Sequence, residues 1–287
     1  MTGRQLPAHI AAALAGNTAD SAGQAWAGRD LSGPANPLHA FDDDDGAADR
    51  GLSAAVSGLL APDRSADQPG ARERAVFAAL TTARVFIPIV ARLSAGEEGA
   101  SGLQSDKEAE MALVTLTAPD GRKALPVFSS TAALTLWHPE ARPVAAYAAR
   151  AALAAAAEDA ELMVLDPGGA LTVVIRRPAV WALARQVDWT PSYEDTALAS
   201  LVGTAAREEQ DILSVALRPA AGVLTRAADG SIASGGGPGP ELRMDLQLRA
   251  GLSPQEVRDA VASFRGRLLG LADFVERVDS LDIKLTR

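Results

Sequence analysis

The chain has 287 residues, with 27 basic and 36 acidic side chains for a net charge of −9, and no cysteine. That length folds as one large domain or two modest ones without covalent support, and the missing cysteines exclude disulfides, thiolate metal sites and any cysteine nucleophile. The acidic balance argues against nucleic acid or an anionic membrane face as a general partner, and the 4% aromatic share leaves the core to Leu, Val, Ile and Ala.

Met1 to Leu14 lacks the pattern of a secretory signal, and no apolar run approaches the roughly 20 residues of a membrane span, so a cytoplasmic protein is expected. Residues 1–70 read as a weakly ordered leader rich in Ala, Gly and Asp. The acidic run Asp42 to Asp45 before Gly46 is not a calcium loop. Aligning Gly46 with the loop glycine puts Phe41 and Leu52 at the first and twelfth ligand positions.

Arg72 to Thr82 has Val76, Phe77 and Leu80 on one helical face, and the apolar run Val85 to Val90 that follows is a buried strand. Met111–Thr117 and Lys123–Phe128 flank Pro119-Asp120-Gly121 and predict a hairpin, because glycine readily takes positive φ. Ser129 and Ser130 can cap a short helix carrying Leu134, Leu136 and Trp137. An alanine-rich helix is expected over about Val144 to Glu158. Leu162–Leu165 and Leu171–Ile175 bracket the turn Asp166-Pro167-Gly168-Gly169, and Pro178 suits the first turn of a helix holding Val180, Trp181 and Leu183.

Gln186 to Ser192 reads as a linker, and Ser192 to Asp195 as the opening of a helix that runs to about Arg207. Strands follow at Ile212–Leu217, Val223–Arg226 and Leu242–Leu248, the last alternating apolar with polar residues. The Gly/Ser/Pro segment Asp229 to Pro240 reads as a flexible connection. It is not a phosphate-binding loop, since no Lys-Ser or Lys-Thr follows its glycines. Ser253-Pro254-Gln255-Glu256 is a capping box with proline at the first helical position, and Leu281, Ile283 and Leu285 alternate with polar residues as a last strand.

The expected architecture is α/β (α+β): two consecutive mixed α/β units, 71–186 and 192–287, with short, largely antiparallel or mixed sheets and packed helices. No catalytic set stands out. His9, His39 and His138 have no helical i, i+4 spacing, no serine lies in Gly-x-Ser-x-Gly, and Gly168-Gly169 joins strand to strand where a dinucleotide turn would join strand to helix. Asp106, Glu108 and Glu110 read as a charged strand edge in preference to a carboxylate pair. No metal and no cofactor is expected.

Tryptophans are the main contact candidates in so aromatic-poor a chain. Trp26, Trp137, Trp181 and Trp189 are the four. Core packing is the favoured reading for Trp137 and Trp181, and Trp189 in the linker is expected to be exposed. With His138 and Arg142, the residues Trp137, Trp181 and Trp189 form the candidate set for contact with a partner or ligand.

Several stretches resemble the SseB N-terminal domain family, of the enhanced-serine-sensitivity type, in its actinobacterial form. They are Ala83 to Val90, Asp106 to Val114, Asp120-Gly121-Arg122 and Leu125 to Ser130, continued by Trp137, Pro139, Ala141 to Val144 and Leu165-Asp166-Pro167. Trp26 to Arg29 is similar to the leaders of such members. The resemblance implies a regulatory or housekeeping role in the cytoplasm, with no known reaction or cofactor. The missing nucleophile, metal and phosphate motifs beside two well-patterned α/β units lead to the expectation of a non-catalytic adaptor that binds protein, without nucleic acid or membrane; an amino-acid sensor or enzyme, suggested by the family name, is the alternative. Self-association through a sheet edge at Leu242–Leu248 or Leu281–Leu285 is a further option.

Overall fold

The computed structural model describes residues 40–61, 69–93 and 109–286. His9, Trp26, His39, Asp106 and Glu108 lie outside the described residues. Residues 46–287 make one compact unit.

Asp49 opens helix α1 (Arg50–Gly58), its carboxylate accepting from the Leu52 N–H at 2.8 Å. This helix falls in the stretch read as a loose leader. It forms because Leu52 and Leu59 bury completely against the main core, a gain of about 1.5–3 kcal/mol for each such side chain. Helix α2 (Pro69–Thr82) then feeds strand β1 (Arg84–Leu93).

Strand β1 is the spine of a sheet ordered β2-β1-β5, in which β2 (Ala109–Leu113) and β5 (Arg142–Tyr147) both run antiparallel to it. Two expectations change here. The hairpin at Pro119-Asp120-Gly121 shrinks to β3 (Leu116–Thr117) against the start of β4 (Lys123–Val127), because Ala109 to Leu113 pairs with the long β1 instead. Gly121 does adopt φ +89°, as its turn requires. The alanine-rich helix also starts later than predicted. Val144 to Tyr147 is strand, since β1 offers an unpaired edge and tertiary pairing overrides alanine's helix propensity; helix α4 covers only Ala148–Ala157.

A second sheet is ordered β3-β4-β6-β7, with β6 (Leu162–Leu165) parallel to β4 and antiparallel to β7 (Val173–Ile175). An isolated bridge between Phe86 and Phe128 joins the two sheets through reciprocal hydrogen bonds of 2.8 and 2.9 Å. Helices α1, α2, α4 and α5 (Arg177–Arg185) contribute to the main core, whereas α3 (Thr131–Trp137) covers a smaller cluster of Phe86, Phe128, Leu134 and Ala141.

Ser192–Glu194 is a single 3-10 turn in place of the expected helix start, and Asp195 caps α6 (Thr196–Arg207), accepting from the Ala197 and Leu198 N–H groups. The sheet that follows is ordered β12-β11-β8, from β8 (Ile212–Pro219), β11 (Leu242–Leu248) and β12 (Leu281–Thr286), with β11 antiparallel to β8 and parallel to β12. One face carries buried Leu242, Met244 and Leu246, which cluster with Val202 of α6, Phe264 of α7 (Pro254–Leu269) and Phe274 of α8 (Ala272–Arg277). The predicted capping box of α7 is present in both directions between Ser253 and Glu256.

The segment read as a flexible connection is packed. Its Ile232–Ser234 is strand β10, paired with β9 (Leu224–Arg226), and Ala233 is buried in the main core. Two of its glycines, Gly236 and Gly237, sit where nothing larger fits. A Cβ on Gly237 would lie 2.1 Å from the Leu224 carbonyl oxygen, and one on Gly236 would lie 2.6 Å from Val173 Cγ1.

Candidate interaction groove

An open groove of about 550 Å³ runs between α1, α3 and the β6–β7 turn. Its walls include Val56 and Leu60, Leu136 and Trp137, and the turn Asp166 to Leu171.

Each wall is held by local hydrogen bonds that the sequence supplies. Ser130 caps α3, its Oγ accepting from the Ala133 N–H at 3.1 Å, and the Thr131 N–H donates to the Gly46 carbonyl at 2.9 Å. Asp166 takes left-handed φ of +49° in the β6–β7 turn, donates its N–H to Val127 and accepts from the Ser129 N–H on Oδ1 at 2.8 Å. Thr172 Oγ1 donates to the Asp166 carbonyl and accepts from the Gly168 N–H, closing the turn on itself. The Asp166 carboxylate thereby ties the turn to Ser129, the residue before the α3 cap.

The Trp137 ring lies 5.2 Å from Phe128 and is half-buried, so it has a packed face and a groove face. Leu136 beside it is 82% exposed. Leu136 and Trp137 together form an apolar stretch of the groove wall. The groove's acid, Asp166, already serves Ser129, and no Lys or Arg is among the lining residues.

The candidate set from the sequence does not assemble at one place. Trp137 lines the groove, and His138 follows it with ring centroids 5.8 Å apart, its Nδ1 buried without a partner. Arg142 is exposed at the start of β5. Trp181 is half-buried on α5 with the Arg177 guanidinium over its ring, 5.3 Å from the centroid. Trp189 is not the exposed residue expected of a linker. Its ring packs on Phe77 at 5.5 Å and helps cover a core cavity of about 30 Å³, roughly the room of one water. Leu136 is a further groove residue, and the sequence carries its signal: a position two places from buried Leu134 lies off the core face of a helix.

A buried charge cluster lies apart from the groove lining. Glu73 Oε1 accepts from Arg176 at 3.2 Å and from the Gly236 N–H at 3.0 Å, and its Oε2 accepts from the Tyr193 hydroxyl at 2.6 Å. Arg176 Nη2 reaches the carbonyls of Gly222, Gly237 and Gly239, at 3.0, 2.6 and 3.4 Å. Close by in charge, Glu241 is 2% exposed and accepts from the Asp279 N–H at 2.8 Å; burial pushes its carboxyl up to about 7, against the pull of Arg176. Burial and the Glu73 charge likewise push the Tyr193 phenol far above its usual value. Arg122 extends the network by pairing with the buried side chain of Asp279 at 2.6 Å. These partners satisfy one another, so the cluster works as a polar tie between the 71–186 and 192–287 regions. Among the described residues, no group of three or more His, Asp or Glu could hold a metal ion, and no helix is long and apolar enough to cross a membrane.

Residues 60–182 match the family described as SseB protein N-terminal domain. This chain carries an SseB N-terminal domain. Comparison with curated proteins and with solved structures gave no match. The SseB domain contributes α3, the β6–β7 turn, Glu73 and Arg176, whereas all of α1 precedes it and the glycine carbonyls around Arg176 follow it.

Proposed function

We propose that this SseB-domain protein is a non-catalytic cytoplasmic adaptor or regulator, and that a protein partner seats an apolar side chain in the groove between Leu136, Trp137 and the Asp166–Leu171 turn. The observation that carries this reading is Leu136, 82% exposed beside a tryptophan fixed on Phe128. Rigid aromatic anchors bordered by exposed apolar surface are where binding energy concentrates in protein interfaces. The test is a pull-down from host lysate with the native chain and with Leu136→Glu. Leu136 is solvent-facing, so the variant keeps its melting temperature while a partner held by the groove is lost. Equal retention by both chains contradicts the reading.

The second reading, an amino-acid sensor, has one observation in its favour: about 550 Å³ lies within the range of small-molecule sites. Against it, a free amino acid brings a carboxylate, and the lining offers no cation to receive it. A thermal-shift screen separates the two. A ligand at about 100 times its dissociation constant stabilises by about 2.7 kcal/mol, and the adaptor reading expects a flat response.

A further inference from the structure

Among the described residues, β12 pairs only with β11, so its other side is a sheet edge. The Leu242 N–H donates to the Ser280 carbonyl, which turns the backbone groups of the even-numbered residues Asp282 and Lys284 toward β11. Alternation along a strand then points the N–H and C=O groups of Leu281, Ile283 and Leu285 outward.

The sequence of that edge is complementary to itself. In an antiparallel pair of two copies with the twofold axis at Ile283, Ile283 meets Ile283, Leu281 meets Leu285, and Asp282 meets Lys284. The apolar pairs share one face and the opposite charges share the other, each in the directly opposed geometry that stabilises sheets. The outward backbone groups of Leu281, Ile283 and Leu285 are the ones such a register would bond.

Neighbouring surface favours the same occupant. A groove of about 570 Å³ between α7 and β12 has apolar lining from Val257, Val261, Leu269, Ile283 and Leu285, with Arg258 and Arg265 also in its wall; Leu269 and Leu285 are 54% and 47% exposed. Asp282 and Lys284 are exposed, and among the described residues neither makes an ion pair. A lone edge lysine guards a sheet against pairing, but a lysine two places from an aspartate matches a second copy of itself. The opposite edge, β8, has the Ser192–Glu194 turn packed on it and ends in Arg218-Pro219.

We propose that the β12 edge is an isologous interface, on which a second copy of this chain adds its own β12 antiparallel with Ile283 on the twofold axis. The inference is independent of the groove at Trp137.

Light scattering on the full chain over a range of concentrations tests it, together with Asp282→Lys, Lys284→Asp and the double exchange. The native chain runs as a dimer. Each single variant places like charges opposite each other twice and weakens the dimer at least about tenfold, and the double exchange restores it. A native chain that stays monomeric overturns the proposal, as does a dimer indifferent to the single variants or one the double exchange fails to recover. Should a charge variant not fold, Ile283→Cys gives a second readout in this cysteine-free chain. Bonded antiparallel partners sit about 5.5 Å apart at Cα, inside the about 4.4–6.8 Å that a disulfide spans, so mild oxidation yields a covalent dimer. Ser214→Cys on β8 is the control, and equal crosslinking by both contradicts the interface.

Discussion

Arg176 donates to Glu73 at 3.2 Å across 103 residues of chain, with side-chain exposures of 4% and 7%. The same guanidinium holds the Gly222, Gly237 and Gly239 carbonyls, so one cation fastens the glycine segment to the SseB domain. Removing one member of such a pair leaves the other buried and charged. Arg176→Met is expected to cost about 3–5 kcal/mol in urea denaturation, and Arg176→Met with Glu73→Gln to cost less than the sum of the single changes. Additive losses would show that the two side chains act separately.

Stability should fall as the pH rises from about 5 to 8. Burial pushes the folded-state pKa of Glu241 up to about 7 from the ordinary glutamate value of 4.5, so the folded chain keeps a proton that the unfolded chain has released. That contribution is complete below the unfolded value and is lost as pH rises through about 7, with a total of up to about 3 kcal/mol. Glu241→Gln keeps an acceptor for the Asp279 N–H and should flatten the profile in this window. A native profile equal to that of the variant would contradict the assignment.

The Tyr193 hydroxyl donates to Glu73 at 2.6 Å. A hydrogen bond to a charged group contributes about 1.5–3 kcal/mol, so Tyr193→Phe should lower stability by that order. Because its phenol is raised above the usual range, the absorbance change of tyrosine ionisation should lack the Tyr193 share until the chain unfolds in alkali.

Gly237→Ala is expected to cost at least about 2 kcal/mol, since the added Cβ falls 2.1 Å from the Leu224 carbonyl and 2.4 Å from that of Gly222, and backbone must move to admit it. Gly230→Ala makes a comparison within the same segment. Its Cβ meets open space, and only its φ of +88° opposes the change. A mobile connection would tolerate the Gly237 substitution better than the Gly230 one.

Local signals were the legible part of this fold. Ser253 and Glu256 announce α7, Ser130 announces α3, and the alternation from Leu242 to Leu248 announces a half-buried strand. Each acts within a few residues of itself. What sequence could not convey is pairing at a distance: Val144 to Tyr147 becomes strand because β1 lies beside it, and Met111 leaves its hairpin for the same partner. The groove shows the same division. Trp137 and the Asp166-Pro167-Gly168 turn were visible as residues, but nothing local told that α1 would close the third wall. Arg176 carried a faint signal, an arginine directly after the run Leu171 to Ile175, while its acceptors lie 46 to 103 positions away.

Hydrogen exchange on the full chain, alone and with the protein captured in the pull-down, tests the proposed groove most directly. Slowed exchange is predicted over Arg50–Leu60, Thr131–Trp137 and Asp166–Leu171, the three segments that wall it. Unchanged exchange there, with protection only at other surfaces such as Leu281–Thr286, would contradict a partner seated against Leu136 and Trp137.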